Sequence, residues 1–168
     1  MANLRTAQDA GPRSSLHIPS YVSGYFDGEG CFSVAIGPRP SLRVGWEVRP
    51  SVSISQNGDR AEVISHIADF FACGSIRPDP SDRTVKWETR RLLDLTDVVL
   101  PHFRRFPLLS GKNGDVQTLD AICRLMLSRL HLTRGGLLRI ARMAQSMNPS
   151  GIRRYDVDTI ARSCEVKA

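Results

Sequence analysis

The chain has 168 residues, 41% of them hydrophobic and 24% charged, enough to build one domain around its own core without disulfide or metal staples. Lysine and arginine outnumber aspartate and glutamate by 23 to 17, a net charge of +6, and a basic domain of this size often meets a polyanion such as nucleic acid. Cys31, Cys73, Cys123 and Cys164 form no C-x-x-C pair and the histidines show no ligand spacing, which argues against a zinc site and fits a reducing compartment, cytoplasmic or organellar.

Residues 1–16 read as a disordered lead-in without a secretory core, residues 17–148 as a single domain, and 149–168 as a tail to which no firm element is assigned. No apolar run approaches a membrane span. The first element is a helix from about Pro19 or Ser20 through Tyr21, Val22, Tyr25 and Phe26, ended by Gly28 and Gly30. Cys31 to Gly37 then alternates: Phe32, Val34 and Ile36 point one way, Ser33, Ala35 and Gly37 the other. A turn at Gly37-Pro38-Arg39-Pro40 leads to a second alternating strand over 43–56. Its apolar face is Trp46, Val48, Val52 and Ile54; its polar face is Glu47, Arg49, Ser51, Ser53 and Ser55.

A helix from about Arg60 to Ala72 follows. A second hairpin spans Gly74–Asp79 and Arg83–Arg90, and helices are expected over Leu92–Phe103, Lys112–Leu132 and Thr133–Met147, the last bent at Gly135-Gly136. The order αββαββα plus further helices gives an α+β fold with one antiparallel sheet, helices on one face and an open face rich in serine and arginine.

The end of the first helix carries the chemistry. Ser23 and Gly24, with Asp27 and Gly28 one turn later, are small or short, and small residues on one helix face let a second helix approach closely. Glu29 stands where helix becomes strand, and a carboxylate is a hard oxygen ligand suited to Mg²⁺. Asp-Gly-Glu-Gly by itself is common in turns.

The wider segment Val22-Ser-Gly-Tyr-Phe-Asp-Gly-Glu-Gly30 resembles the signature of the LAGLIDADG homing endonuclease family: Gly24, Asp27 and Gly30 match and Glu29 takes the second acidic position. The two hairpin-plus-helix units, Gln56 at a strand end, Pro101 to Lys112, and His131 through Asn148 also resemble the family's pattern. The resemblance implies the LAGLIDADG fold, with its sheet as a saddle on DNA, and metal-dependent phosphodiester hydrolysis. It implies that Glu29 and the Gly28 carbonyl hold Mg²⁺, with Mn²⁺ or Ca²⁺ able to occupy the same site. Gln56 would position water and metal, and Lys112 would stabilise phosphate charge. With one motif per chain, it implies a homodimer with Ser23, Gly24 and Asp27 at the interface, cutting both strands of a long pseudo-palindromic duplex.

On the open face the expected DNA contacts are Ser33, Ala35, Gly37 and Arg39 from the first strand, Arg43 at the hairpin tip, and Glu47, Arg49, Ser51 and Ser53 from the second. Arg77, Lys86 and Glu88 come from the second hairpin. Between Asp120 and Asp156 the chain has arginines 124, 129, 134, 139, 142, 153 and 154 and no acid, a minority of which are expected to meet phosphates. Two other functions fit the same scaffold: an intron maturase that binds intron RNA, and a non-catalytic DNA-binding module. Glu29 and Lys112 speak against the second.

Overall fold

A computed structural model describes residues 16–149 and 151–165; the lead-in expected over 1–16 lies, but for Leu16, outside the described residues. Helix α1 (Ile18–Glu29) starts one or two residues before the expected Pro19 or Ser20, with His17 as its cap. The His17 ring accepts the Ser20 amide at 3.3 Å, a donor that would otherwise lack a partner in the first turn. Strand β1 (Gly30–Pro38) pairs with β2 (Trp46–Asn57), and α2 (Glu62–Phe71) leads into the hairpin β3 (Ser75–Asp79) and β4 (Thr84–Thr89). All pairings are antiparallel and the sheet order is β1-β2-β4-β3. The fold is therefore the α+β arrangement expected from the sequence.

Residues 92–105 form one helical run in three parts. They are α3 (Leu92–Asp94), a π turn at Leu95–Val99 and α4 (Leu100–Arg105). Pro101 explains the π turn. In a regular helix its ring would strike the carbonyl of Asp97 and its nitrogen could not donate, and widening the preceding turn relieves both.

The long helix expected over 112–132 is broken. Helix α5 (Lys112–Leu127) stops where Arg129 turns left-handed at φ 58°, and a short 3-10 turn joins it to α6 (Arg134–Gln145). Gly135 and Gly136 do not bend α6; they lie in its first turn. A Cβ on Gly136 would stand 1.9 Å from the Leu130 carbonyl oxygen, whereas one on Gly135 would meet nothing within 4 Å. Gly136→Ala should therefore cost about 1–3 kcal/mol of stability and Gly135→Ala should stabilise by a few tenths up to about 1 kcal/mol, which urea titration of the two variants separates.

Aromatic rings form the centre of the core. Phe26 of α1 is fully buried, with ring centroids of Phe103 at 5.1 Å, Phe32 at 5.9 Å, Phe71 at 6.0 Å and Trp87 at 6.1 Å. Trp87 stacks on Phe71 and donates its indole N–H to the Cys73 carbonyl at 2.8 Å. The core face of the sheet thus clamps α1 against α2 and α4, which fixes where the end of α1 emerges.

The stretch beyond Pro149 is ordered where described. Helix α7 (Val157–Glu165) buries Ile160 and Cys164, and Asp156 accepts the Thr159 amide at 2.6 Å to cap it. Trp46 donates its indole N–H to the Ser163 hydroxyl at 2.8 Å and packs edge-on against Tyr155. Among the described residues no helix is long and apolar enough to cross a membrane.

Candidate functional site

Glycine is required at the turn from α1 into β1. A Cβ on Gly30 would lie 2.6 Å from the Phe26 carbonyl oxygen and 2.5 Å from its ring. The chain can therefore leave the helix tightly, with Gly28 and Glu29 exposed at the helix end. The last turn of α1 has no basic residue, so its unpaired carbonyls, the negative end of the helix dipole and the Glu29 carboxylate together make a negative locus.

A cation from far along the chain answers it. Lys112, the first residue of α5, donates its ammonium to the Gly28 carbonyl at 2.6 Å across 84 positions of sequence. Gly28 and Lys112, two of the residues expected at the site, are thereby in direct contact, and Glu29 is the next residue after Gly28. Gln56 sits at the end of β2. Its amide N–H donates to the Tyr25 hydroxyl at 2.7 Å and its carbonyl accepts the Asn57 amide at 2.9 Å. Tyr25 and Glu29 are four residues apart and share a face of α1, so Gln56 is tied to the helix face that ends in Glu29. The Tyr25–Gln56 bond was not foreseen; local patterning cannot pair a helix residue with a strand end.

Two of the three residues expected at a helix seam are committed elsewhere. Ser23 is only 5% exposed. Its hydroxyl donates to the Phe106 carbonyl at 2.6 Å and lies 3.1 Å from the His102 Nε2, because it shares the inward phase of Val22 and Phe26. With the Ser23 proton directed to Phe106, His102 carries its proton on Nε2. Asp27 accepts the amides of Leu109 and Ser110 at 3.0 and 3.1 Å. Hydrogen bonds from the Ser110 side chain, then from the Ser110 and Leu109 amides, hold its carboxyl below the usual range. Asp27 thus fixes the 107–111 turn that delivers Lys112. Gly24 alone keeps the expected character: it and Gly28 have open space where a Cβ would be, and a groove beside α1 runs from Gly24 to Phe106 and Leu109.

Burial pushes the His102 imidazole down to about 4. The unfolded chain would protonate it near 6.5, so its contribution to stability is complete above that pH and is lost as pH falls from about 6.5 to about 4. The urea midpoint should decline over pH 6.5–5 in the parent and stay flatter in His102→Gln; equal slopes would remove His102 from the account.

On the open face, register aligns the residues in rows. Ser33 faces Ser51 with hydroxyls 2.8 Å apart, Ala35 faces Arg49 and Gly37 faces Glu47. Cys31, Ser53, Glu88 and Ser75 make one row; Ser55, Lys86 and Arg77 make the next. Three expected readers need correction. Ser53 has the right phase but is only 6% exposed, covered in the middle of its row. Glu88 is enclosed by Lys86 and Arg90 at 3.4 and 3.0 Å, so it holds two cations. Arg39 lies past the end of β1, in the turn, where it pairs with Glu47. Arg43 is exposed in that turn. Cys31, Ser55 and Ser75 share the face and were not among the expected contacts; the two-residue period already carried Cys31 and Ser55.

The donor set suits a hard cation. Glu29 and the Gly28 carbonyl are both oxygen ligands. Among the described residues no three His, Cys, Asp or Glu side chains cluster to cage a metal, so an ion here would keep several waters or take phosphate oxygens, as Mg²⁺ does.

Comparison with known proteins gives this site its family. Residues 22–123 match the family model described as LAGLIDADG endonuclease. Over 131 residues the chain is 30% identical to "Probable intron-encoded endonuclease 2" of Neurospora crassa, spanning 77% of this chain and 29% of that relative. The fold is similar to the homing endonuclease I-TnaI, with TM-score 0.76, 29% identity, and 89% and 97% of the two chains covered. It is also similar to the LAGLIDADG homing endonuclease I-LtrWI, solved bound to target DNA, with TM-score 0.78, 25% identity, and 82% and 46% covered. The chain, with Gly24, Asp27 and Glu29 on α1 and Gly30 opening β1, belongs to the LAGLIDADG endonuclease family.

Proposed function

We propose that this chain is one half of a site-specific homing endonuclease: two copies meet along α1, seat one duplex on their open sheet faces, and hydrolyse one phosphodiester in each strand. The observation that carries the reading is the Lys112 ammonium 2.6 Å from the Gly28 carbonyl, beside Glu29. It sets a cation from 84 positions along the chain against the carbonyl end of α1, which supports a metal ion and a phosphate sharing this locus. The target DNA bound by I-LtrWI supports DNA as the substrate. The intron-encoded relative supports an intron-borne frame whose target is the intronless junction.

Mg²⁺ at Glu29 and Gly28, or Mn²⁺ or Ca²⁺ in its place, would lower the pKa of a bound water and neutralise charge on the phosphate. Glu29 supplies the anionic ligand. Lys112 donates to a non-bridging phosphate oxygen as negative charge grows in the transition state. Gln56, held by Tyr25, presents its remaining amide N–H to water. Each copy contributes one Glu29, so cutting both strands takes two copies, and a two-fold pair favours a pseudo-palindromic site. The free space over Gly24 and Gly28 supports close approach of the second α1.

The test is incubation of the protein with a duplex spanning the intronless junction, with MgCl₂ or with EDTA. Cutting of both strands only with Mg²⁺ is expected. Tight duplex binding without cutting in any divalent cation would overturn the nuclease reading.

A further inference from the structure

The family match ends at residue 123, and residues beyond it form one wall of a cavity of about 470 Å³. The cavity wraps the free edge of β1. One wall is the strand itself with Arg49 from β2; the other is the end of α6 and the segment carrying Arg153, Arg154 and Tyr155. Among the described residues no carboxylate lines it. Its mouth is continuous with the open sheet face, because Ser33, Ala35, Gly37 and Arg49 belong to both.

An edge strand leaves carbonyls and amides unpaired. Here side chains that follow α6 take two of the carbonyls. Asn148 donates to the Phe32 carbonyl at 2.7 Å and Arg153 to the Val34 carbonyl at 2.8 Å. Arg153 also bonds the carbonyls of Ala144 and Met147 at the end of α6, and its guanidinium is thereby committed to the fold. On the other side of Arg154, Tyr155 is fixed edge-on against Trp46 with centroids 5.0 Å apart. Arg154 therefore stands exposed between two anchored neighbours, its guanidinium 5.4 Å over the Tyr155 ring. The nearest acid in sequence, Asp156, is occupied in capping α7. A cation held this way loses little side-chain freedom on meeting an anion.

We propose that Arg154, with Arg49 across the cavity mouth, binds a backbone phosphate of duplex DNA running off the open sheet face past the β1 edge. The contact rests on the reading of the sheet as a duplex platform. It adds affinity without sequence choice, since phosphate carries no base information.

The test measures the affinity of Arg154→Ala, Arg154→Lys and parent protein for the junction duplex and for a shuffled duplex, from 50 to 200 mM KCl with Ca²⁺. Arg124→Ala serves as control, since Arg124 is paired with Asp120 at 2.9 Å. Losing one phosphate contact lowers the slope of log K against log salt by about 0.9. Arg154→Ala should show that loss, with about three- to tenfold weaker binding at low salt, equal on both duplexes. Arg154→Lys should restore the slope and Arg124→Ala should leave it unchanged. An Arg154→Ala slope equal to the parent's, with the parent binding duplex, overturns the phosphate contact alone. A loss confined to the junction duplex also overturns it, because the role would then be base reading. A parent that binds no duplex removes both this contact and the proposed function.

Discussion

Glu29→Gln should lower duplex cleavage by about 10³-fold or more while leaving duplex affinity in Ca²⁺-free buffer within about twofold, the rate loss corresponding to several kcal/mol of metal-derived transition-state stabilisation. The side chain is exposed at the end of α1 and the residues around it are held by other bonds, so the amide should fold normally. Glutamine keeps the size and loses the anionic ligand. Gel-shift and single-turnover cleavage on one preparation separate the two effects. Equal loss of binding and cutting would mean that Glu29 serves the DNA interface instead. Cleavage within tenfold of the parent would place the metal elsewhere.

Phe26→Ala should be the most damaging core change within the motif. Phe26 is fully buried among Phe32, Phe71, Trp87 and Phe103, and truncating such a residue costs about 3–5 kcal/mol. At this chain length each kcal/mol moves Tm by about 2–4 °C, so a fall of roughly 6–20 °C is expected by calorimetry. Phe26→Leu should recover most of it. The same ring meets the Gly30 backbone, so loss of Phe26 also loosens the exit of α1 that presents Gly28 and Glu29. The loss of activity in Phe26→Ala at a temperature where it stays folded should therefore exceed that in Phe26→Leu. A Tm within 3 °C of the parent would contradict the packing account.

The sheet was legible because its signal is local. Phe32, Val34, Trp46, Val48, Val52 and Ile54 alternate with small or polar residues, and the register places them on the core face. The bond between Lys112 and the Gly28 carbonyl has no local signal in the sequence; nothing within either segment specifies a partner 84 positions away.

What escaped falls into two kinds. Ser23 is small enough for a helix seam, but its helical phase, three residues before Phe26, turns it inward. The break after Leu127 could not be read, because Arg129 adopts a left-handed conformation that arginine rarely signals. The tail escaped because Asn148 and Arg153 act through side-chain bonds to β1 carbonyls. Such bonds leave no periodic trace in the chain that donates them.

The claim that two Glu29 sites, one per copy, cut the two strands is tested by mixing parent and Glu29→Gln protein after co-refolding, at rising fractions of the variant, and resolving nicked from linear products of a supercoiled plasmid carrying the junction. The account predicts that nicked circle rises to a maximum near equal mixing while linear product falls with the square of the parent fraction. Linear product falling in direct proportion to the parent fraction, with no nicked circle formed, would contradict it.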